Sequence, residues 1–356
     1  MEFSRTIFIT GFPGFIAERL VARLASADTQ FFLLVEQRMT DAAMRSAERI
    51  AADTGTPLEN FALITGDITM PDLGIDPADL EEIRTETTDV FHLAAVYDLA
   101  VAEDVAFAVN LAGTKNVNAF VRTLPNLRRY NYISTCYVAG KRTGRILETE
   151  LEHDAGFRNF YEETKYLAEL EVEGLRHELP VTIFRPSVVV GDSRTGETAK
   201  YDGIYYLIQY LRKAPGLLRA INVGNADVRL NLVPVDFVVE GIAALADDEA
   251  AVCKTIALAD PSPLTTAEIF DEIAENLTGK ISVFTPPSAL IHNTLLLPLS
   301  PPLTGMPIAA VPYFFIAQTY DTAAANELLA PHGIKCPDFQ TYIGKLLDFV
   351  AEHPML

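Results

Sequence analysis

The stretch Thr6-Ile7-Phe8-Ile9-Thr10-Gly11-Phe12-Pro13-Gly14-Phe15-Ile16-Ala17-Glu18-Arg19-Leu20 constrains the chain more than any other. A β-branched and aromatic run stops at glycine and resumes in helix-forming residues, which reads as strand, tight turn and helix. In a unit of this kind the first glycine permits the turn and the second lets a pyrophosphate approach the backbone. A small third residue lets helix and strand pack closely, and the phosphates rest on the helix N-terminus. Gly11, Gly14 and Ala17 fill these roles. The spacing is Gly-x-x-Gly-x-x-Ala, so the motif alone leaves an ordinary strand-helix turn as an equal reading.

The following segments repeat the alternation. Gln30 to Val35 is a continuous apolar run of the kind a strand buried on both faces requires, ending at Glu36. An acidic residue there suits the adenosine ribose of NAD, whereas a basic one nearby suits the 2′-phosphate of NADP. Glu36 and Arg38 carry both signals, with a solvated loop charge as the plain reading of each. Asp41 to Ala52 is an amphipathic helix, and Phe61 to Thr65 is a strand ending at Gly66-Asp67, where Asp67 is either an adenine ligand or a turn residue. Asp89 to Ala95 is a strand that closes on small residues, Ala94 and Ala95, with room for a flat cofactor; His92, inside it, reads as a packed histidine. A helix from Val105 to Leu124 and a strand from Tyr130 to Thr135 follow. Five strands alternating with helices specify a doubly wound parallel sheet, in which ligands bind beyond the carboxyl ends of the strands.

At 356 residues there is room for that sheet and a smaller companion. A formal charge of −20 argues against a nucleic-acid partner, which needs a clustered basic surface. Three scattered cysteines, Cys136, Cys253 and Cys336, suggest neither disulfides nor a metal site, and no targeting signal is read, so a reducing cytoplasm is expected.

Tyr161 and Lys165, four residues apart in a helical stretch from Phe160 to Glu169, share one helix face. A phenol titrates near 10, roughly, and an adjacent ammonium stabilises the phenolate. The pair is therefore expected to transfer protons, with Lys165 bringing Tyr161 toward the working range. Taken alone, Tyr-x-x-x-Lys is more often a surface pair; its place after a nucleotide half-domain and a strand-end hydroxyl favours the functional reading.

The motifs Thr-Gly-Phe-Pro-Gly-Phe-Ile-Ala, His-Leu-Ala-Ala, Ser-Thr-Cys-Tyr-Val-Ala-Gly, Tyr-Glu-Glu-Thr-Lys and Phe-Arg-Pro-Ser-Val-Val-Val-Gly occur in this order. Together they resemble the extended short-chain dehydrogenases/reductases over about residues 5 to 260. Ile-Ser-Thr-Cys-Tyr-Val-Ala-Gly-Lys-Arg-Thr-Gly and Arg-Pro-Ser-Val-Val-Val-Gly-Asp-Ser-Arg-Thr-Gly look most like the thioester-reductase and fatty-acyl-reductase, male-sterility-type branch. The resemblance implies Tyr161 as acid/base, Lys165 as its partner and ribose ligand, and Thr135 as the hydroxyl that polarises a carbonyl, with Ser134 as fallback. It places a dinucleotide against Gly11, Phe12, Pro13, Gly14, Phe15 and Ile16, against Glu36, Arg38, Asp67 and Ile68, and against Leu93, Ala94, Ala95 and Asn110. Tyr161, Lys165, Pro186, Ser187 and Val188 complete that set. Ala17 stands where glycine is usual, and Glu36 where the branch often has arginine. NADP(H) is the preferred cofactor, with NAD(H) as the alternative that Glu36 supports.

The expected architecture is a Rossmann-type α/β fold. Residues 1–190 form mainly a dinucleotide-binding domain and 191–356 mainly a smaller α/β substrate domain, the two interleaved. Val181 to Ser187 is a sixth strand, residues 192–202 a substrate-side loop, and Asn231 to Glu240 a strand leading into a helix. Ile281 to Tyr320 holds no Asp, Glu, Lys or Arg and is broken by seven prolines, among them Pro302, which disfavours a membrane span. It reads as a buried connector, as an apolar lid over a greasy substrate, or as a partner or membrane contact, and it is expected to contribute an apolar wall to the substrate site. Two closing helices follow, Asp321 to Leu329 and Phe339 to Glu352. The implied activity is NAD(P)H-dependent reduction of a hydrophobic acyl thioester, ketone or aldehyde by an oxidoreductase, with a homodimer left open. A nucleotide-sugar epimerase or dehydratase and a non-catalytic dinucleotide sensor are the alternatives.

Overall fold

A computed structural model describes residues 3–213, 219–298, 300, 301 and 306–354. Strand β1 (Arg5–Thr10) leads into α1 (Phe15–Leu24), β2 (Thr29–Val35), α2 (Thr40–Thr54), β3 (Phe61–Thr65), α3 (Pro77–Glu86) and β4 (Asp89–His92). Helix α4 (Glu103–Ala106) passes through a π-helical stretch (Phe107–Ala112) into α5 (Gly113–Val121), and β5 (Arg129–Ile133) follows. Next come β6 (Gly144–Ile146), α6 (Phe160–Glu173), β7 (Val181–Pro186), β8 (Val188–Val190), α7 (Ile204–Lys213), β9 (Leu232–Pro234), α8 (Val235–Ala246) and β10 (Thr255–Leu258). The chain closes with α9 (Thr266–Thr278), α10 (Ser288–Leu295), β11 (Gln318–Tyr320), α11 (Ala323–Leu329) and α12 (Phe339–Glu352).

Seven strands form one parallel sheet in the order β10-β7-β5-β4-β1-β2-β3. The order reverses between β1 and β4, the switch point where ligands bind in open α/β sheets. Alternate side chains serve opposite faces. Ile7, Ile9, Phe31, Leu33 and Val35 pack with α1, α2 and α8, whereas Phe8, Phe32 and Leu34 pack with α3, α5 and α6. The continuous apolar run of β2 is thus buried on both sides, as a parallel strand demands.

The strand expected after Asn231 is β9, leading into α8 as read, whereas the edge strand β10 and the short strands β6, β8 and β11 were not anticipated. Both β10 and α8 come from beyond residue 190 yet complete the main sheet and its cover. A further apolar core joins α7, α9 and α12 with Leu232, Val311 and Phe314.

The charge-free segment divides. Leu295, Ala310, Val311 and Phe314 are buried in that further core, while Ile281, Val283, Phe284, Leu290 and Leu297 are exposed, Val283 by 84%. Leu299 and the stretch from Pro302 to Gly305 lie outside the described residues. Among the described residues no helix is long and apolar enough to cross a membrane.

Candidate active site

The turn after β1 brings backbone to the switch point. Gly11 has φ +90°, and a Cβ there would meet the Ala94 nitrogen at 2.8 Å; a Cβ on Gly14 would meet the Gly11 carbonyl oxygen at 2.7 Å. Neither position admits a side chain as the loop stands. The first bond of α1 is donated by Glu18 to the Gly14 carbonyl, so the amides of Phe15, Ile16 and Ala17 precede the helix ladder and remain available to an anion.

Above this turn lies a cavity of about 710 Å³. Gly11 to Ile16, Glu36, Arg38, Asp67, Ile68, Leu93, Ala94, Ala95, Thr135, Tyr161, Lys165, Pro186, Ser187 and Val188 all line it. Small residues, helix-end amides and ionic groups at the end of β2 suit an elongated dinucleotide. The Arg38 Nε donates to Glu36 Oε2 at 2.6 Å, and both side chains are largely exposed. The two opposed cofactor signals therefore neutralise each other. Asp67 accepts from the amide and the hydroxyl of Thr69, each at 2.8 Å, while still facing the cavity.

Asn110 departs from its expected place. It does not line the cavity; its Oδ1 accepts from the Val96 amide at 2.8 Å and its Nδ2 donates to Thr164 Oγ1 at 3.1 Å. Buried within the π-helical stretch, its carboxamide is consumed in fixing Val96, which does line the cavity. His92 is likewise structural, between Thr10 and Thr114 at 2.7 and 3.0 Å, and burial lowers its pKa to about 3.

At the far end, β5 delivers Ser134 and Thr135, and α6 delivers Tyr161 and Lys165. Asn159 caps α6 by accepting from the Glu162 amide at 3.0 Å, which fixes the first turn on which Tyr161 sits. The Thr135 hydroxyl accepts from the Tyr137 amide at 3.2 Å and is a hydrogen-bonding neighbour of Tyr161. Ser134 cannot substitute for it, because its hydroxyl is committed to Glu169, which also ion-pairs with Arg185 at 2.6 Å.

Lys165 makes no direct hydrogen bond to Tyr161, so any tuning of the phenol by the ammonium acts through space. Burial pushes the Tyr161 hydroxyl above its ordinary pKa, offset in part by Thr135, and Lys165 is not among the groups that offset it. The Lys165 Nζ instead donates to the Tyr132 hydroxyl at 3.0 Å and the Ile133 carbonyl at 2.9 Å. The four-residue spacing does put both side chains on one face, but the long lysine stem carries its ammonium on to β5. Burial lowers the Lys165 pKa to about 8, against a raising contribution from Glu169.

Sequence reasoning did not single out Tyr97, Tyr137, Val105, Val109 or Lys200, which also line the cavity. Tyr97 sets its ring edge on Tyr161 at 5.2 Å, and the Lys200 ammonium lies 4.3 Å from the Tyr97 ring centre. Thr198 to Lys200 and Asp202 belong to the loop read as substrate-side. The described residues of Ile281 to Tyr320 contribute nothing to the lining, which overturns the apolar-wall expectation. Ile291, Leu295, Met306, Ala310, Val311 and Phe314 face the further core instead, while Tyr313 turns to Glu162 and Tyr137.

Comparison with known proteins agrees with this fold. A family model described as male sterility protein, an NAD-binding family, matches residues 9–242. Fatty acyl-CoA reductase wat of Drosophila melanogaster is 27% identical over 279 residues, covering 68% of this chain and 54% of its own. Chloroplastic fatty acyl-CoA reductase 2 of Arabidopsis thaliana is 24% identical over 331 residues, covering 73% of this chain and 53% of its own. The chain spans about half the length of these relatives. Among solved structures, the terminal R domain from the myxalamid PKS-NRPS biosynthetic pathway shares the fold at TM-score 0.84 and 23% identity, over 99% of this chain and 92% of that one. UDP-glucuronic acid 4-epimerase from Bacillus cereus in complex with NAD shares it at TM-score 0.66 and 18% identity, over 98% and 97%. With about two thirds of its length matched, from the end of β1 into α8, the chain belongs to the NAD-binding male sterility protein family, the fatty-acyl-reductase branch of the extended short-chain dehydrogenases/reductases.

Proposed function

We propose that this chain reduces a carbonyl, that of a hydrophobic acyl thioester by preference and otherwise that of a ketone or aldehyde, at the expense of NADPH or NADH. The observation that carries the reading is the meeting of Thr135, Tyr161 and Lys165 at one end of a cavity whose other end suits a dinucleotide. The fatty acyl-CoA reductases among its relatives favour the acyl thioester. Residues 1–190 mainly hold the cofactor and also give the substrate side Tyr97, Val105, Val109 and Tyr137, to which the later chain adds Thr198 to Lys200 and Asp202.

When bound, the reduced nicotinamide supplies hydride to the carbonyl carbon. The protein supplies the rest. The amides after Gly14 hold the pyrophosphate, Asp67 and the Glu36–Arg38 pair hold the adenosine end, and the Pro186-Ser187-Val188 backbone flanks the nicotinamide end. Tyr161, kept protonated at neutral pH by burial, gives its proton to the carbonyl oxygen, and Thr135 orients that oxygen. Lys165 presents a buried positive charge beside the forming phenolate and the ribose. Val105, Val109, Tyr97 and Tyr137 keep water from the reacting centre and offer apolar surface to an acyl chain.

Arg38 favours NADP(H) once released from Glu36. A reducing, cytoplasmic setting completes the reading. The test is oxidation of NADPH and NADH by the purified chain against acyl-CoAs, aldehydes, ketones and nucleotide sugars. Turnover of acyl-CoAs supports the proposal; epimerisation of a nucleotide sugar without net cofactor oxidation overturns it.

A further inference from the structure

Lys165 is held by a residue outside the expected catalytic set. Tyr132 lies on β5, three residues before Thr135 and 1% exposed. Its hydroxyl accepts from Lys165 Nζ at 3.0 Å, and its ring centre lies 4.5 Å from the same atom. We propose that Tyr132 is a positioning residue for Lys165: it takes one ammonium proton while the Ile133 carbonyl takes a second, leaving the third aimed at the cavity. This inference rests on the catalytic role given to Lys165 above.

An ammonium has three donors and no acceptor, so Tyr132 must accept from it and pass its own hydrogen onward. Thr114 is the neighbouring side chain placed to take it. The Thr114 hydroxyl in turn donates to the Asn110 carbonyl at 2.7 Å. A second branch reaches Thr114 from the glycine-turn side. The Ala94 amide donates to Thr10 Oγ1 at 3.1 Å, Thr10 to His92 Nδ1 at 2.7 Å, and His92 Nε2 to Thr114 at 3.0 Å. Each hydrogen is used once and both branches end on one carbonyl, so the chain has a single orientation and cannot conduct protons through to solvent. It is a rigid buried scaffold, satisfied throughout, that joins β1, β4, β5 and α5 to the ammonium.

The scaffold is also electrically silent near neutrality. Burial drives His92 down to about 3 and the Tyr132 hydroxyl far up, so neither changes charge between mildly acidic and mildly alkaline pH. The other ionisable groups near Lys165 are Tyr161, also pushed up, and Glu169, which is fixed by Arg185 and Ser134. Lys165 is therefore the member that titrates, and the Tyr132 oxygen favours its charged form.

The experiment is Tyr132→Phe, which removes one oxygen and keeps the ring. NADPH and NADH affinity is measured against pH by calorimetry on the intact chain, alongside the pH profile of kcat for an acyl-CoA. Loss of one hydrogen bond to a charged group should move the alkaline limb of both curves down by about one pH unit. At neutral pH kcat should fall several-fold while the KM for the acyl-CoA holds. Coincident limbs for variant and wild type, with the variant folded by circular dichroism, overturn the proposal. Thr114→Val keeps Tyr132 on Lys165 but removes the next link, and should move the limb the same way by less; if Tyr132→Phe does not fold, an unmoved limb in Thr114→Val overturns it. A shifted binding limb without carbonyl reduction by the wild type would leave the Tyr132 role standing and defeat the catalytic reading alone.

Discussion

Tyr313 donates a 2.6 Å hydrogen bond to Glu162 Oε1, tying the charge-free segment to the residue that follows Tyr161. Asn159, the α6 cap, completes the contact by donating to the Tyr313 hydroxyl at 2.8 Å. Glu162 is fully buried and also meets Arg158 at 3.2 Å, so its charge is paired away from the protein surface. Tyr313 further packs on Tyr137, a cavity residue, at 4.7 Å. The segment reaches the chemistry by fixing the first turn of the helix that carries it.

Tyr313→Phe should therefore lower stability by about 1–3 kcal/mol, the cost of a buried acceptor left short of a donor. Turnover should fall with it, while dinucleotide affinity holds because the glycine turn is untouched. Denaturant melts and calorimetry separate the two. A variant as stable as the wild type would mean that Arg158 alone satisfies Glu162.

Tyr161→Phe should keep the fold and dinucleotide binding and lose at least about a hundredfold in kcat, the scale of a removed proton donor. Thr135→Val should also reduce kcat. Ser134→Ala should act differently, because its hydroxyl serves Glu169 and not the cavity oxygen: a loss of stability with a smaller change in turnover. Single-turnover rates and thermal melts distinguish them, and equal kinetic losses at Ser134 and Thr135 would contradict the assignment.

The fold was legible wherever local pattern and burial coincide. Phe31 to Val35 is apolar at every position because both faces of β2 are covered, and Gly11 and Gly14 mark a turn whose backbone leaves no room for a Cβ. Thr255 to Leu258 was not legible: four residues carry too little periodicity, and the partner that makes them a strand is β7. Asn110 misled because a carboxamide gives no sign of whether a ligand or the Val96 backbone satisfies it. The link from Lys165 to Tyr132 joins α6 to β5 and has no local signature. Absence of charge over Ile281 to Tyr320 proved ambiguous, since Val311 and Val283 look alike in sequence and are 0% and 84% exposed.

The Lys165 ammonium should leave a mark on stability against pH. Its folded pKa of about 8 lies below the value of about 10.4 for a lysine in the unfolded chain. Between these values the unfolded state binds the extra proton, so wild-type stability should rise with pH across that window. The cost of burying the charge is fully present below about pH 8. Relative to Lys165→Met, the wild type should gain on the order of 2 kcal/mol from pH 8 to 10.4. Urea melts of both proteins across the window measure it, and a constant difference would show that Lys165 is not depressed.

The Glu36–Arg38 pair sets up a test of cofactor choice. Arg38 can meet a 2′-phosphate only by leaving Glu36, so Glu36→Gln should strengthen NADPH binding and leave NADH weaker or unchanged. Arg38→Ala should weaken NADPH far more than NADH. Equal small effects on both cofactors would make Arg38 a solvated charge and NAD(H) the natural partner.

The cavity's own walls, and not the charge-free segment, should set preference for the acyl chain. Each substrate methylene buried should strengthen transition-state binding by roughly 0.8 kcal/mol until the space is filled, so kcat/KM should climb along a series of acyl thioesters. Leu297 is 56% exposed and does not line the cavity, so Leu297→Asp should leave the climb intact. Val105 lines the cavity, and Val105→Asp should flatten it by placing a carboxylate where methylenes would pack. The measurement is kcat/KM against chain length for the wild type and both variants, each checked for fold. A climb flattened by Leu297→Asp and untouched by Val105→Asp would return the substrate wall to the charge-free segment and place the acyl chain outside the cavity.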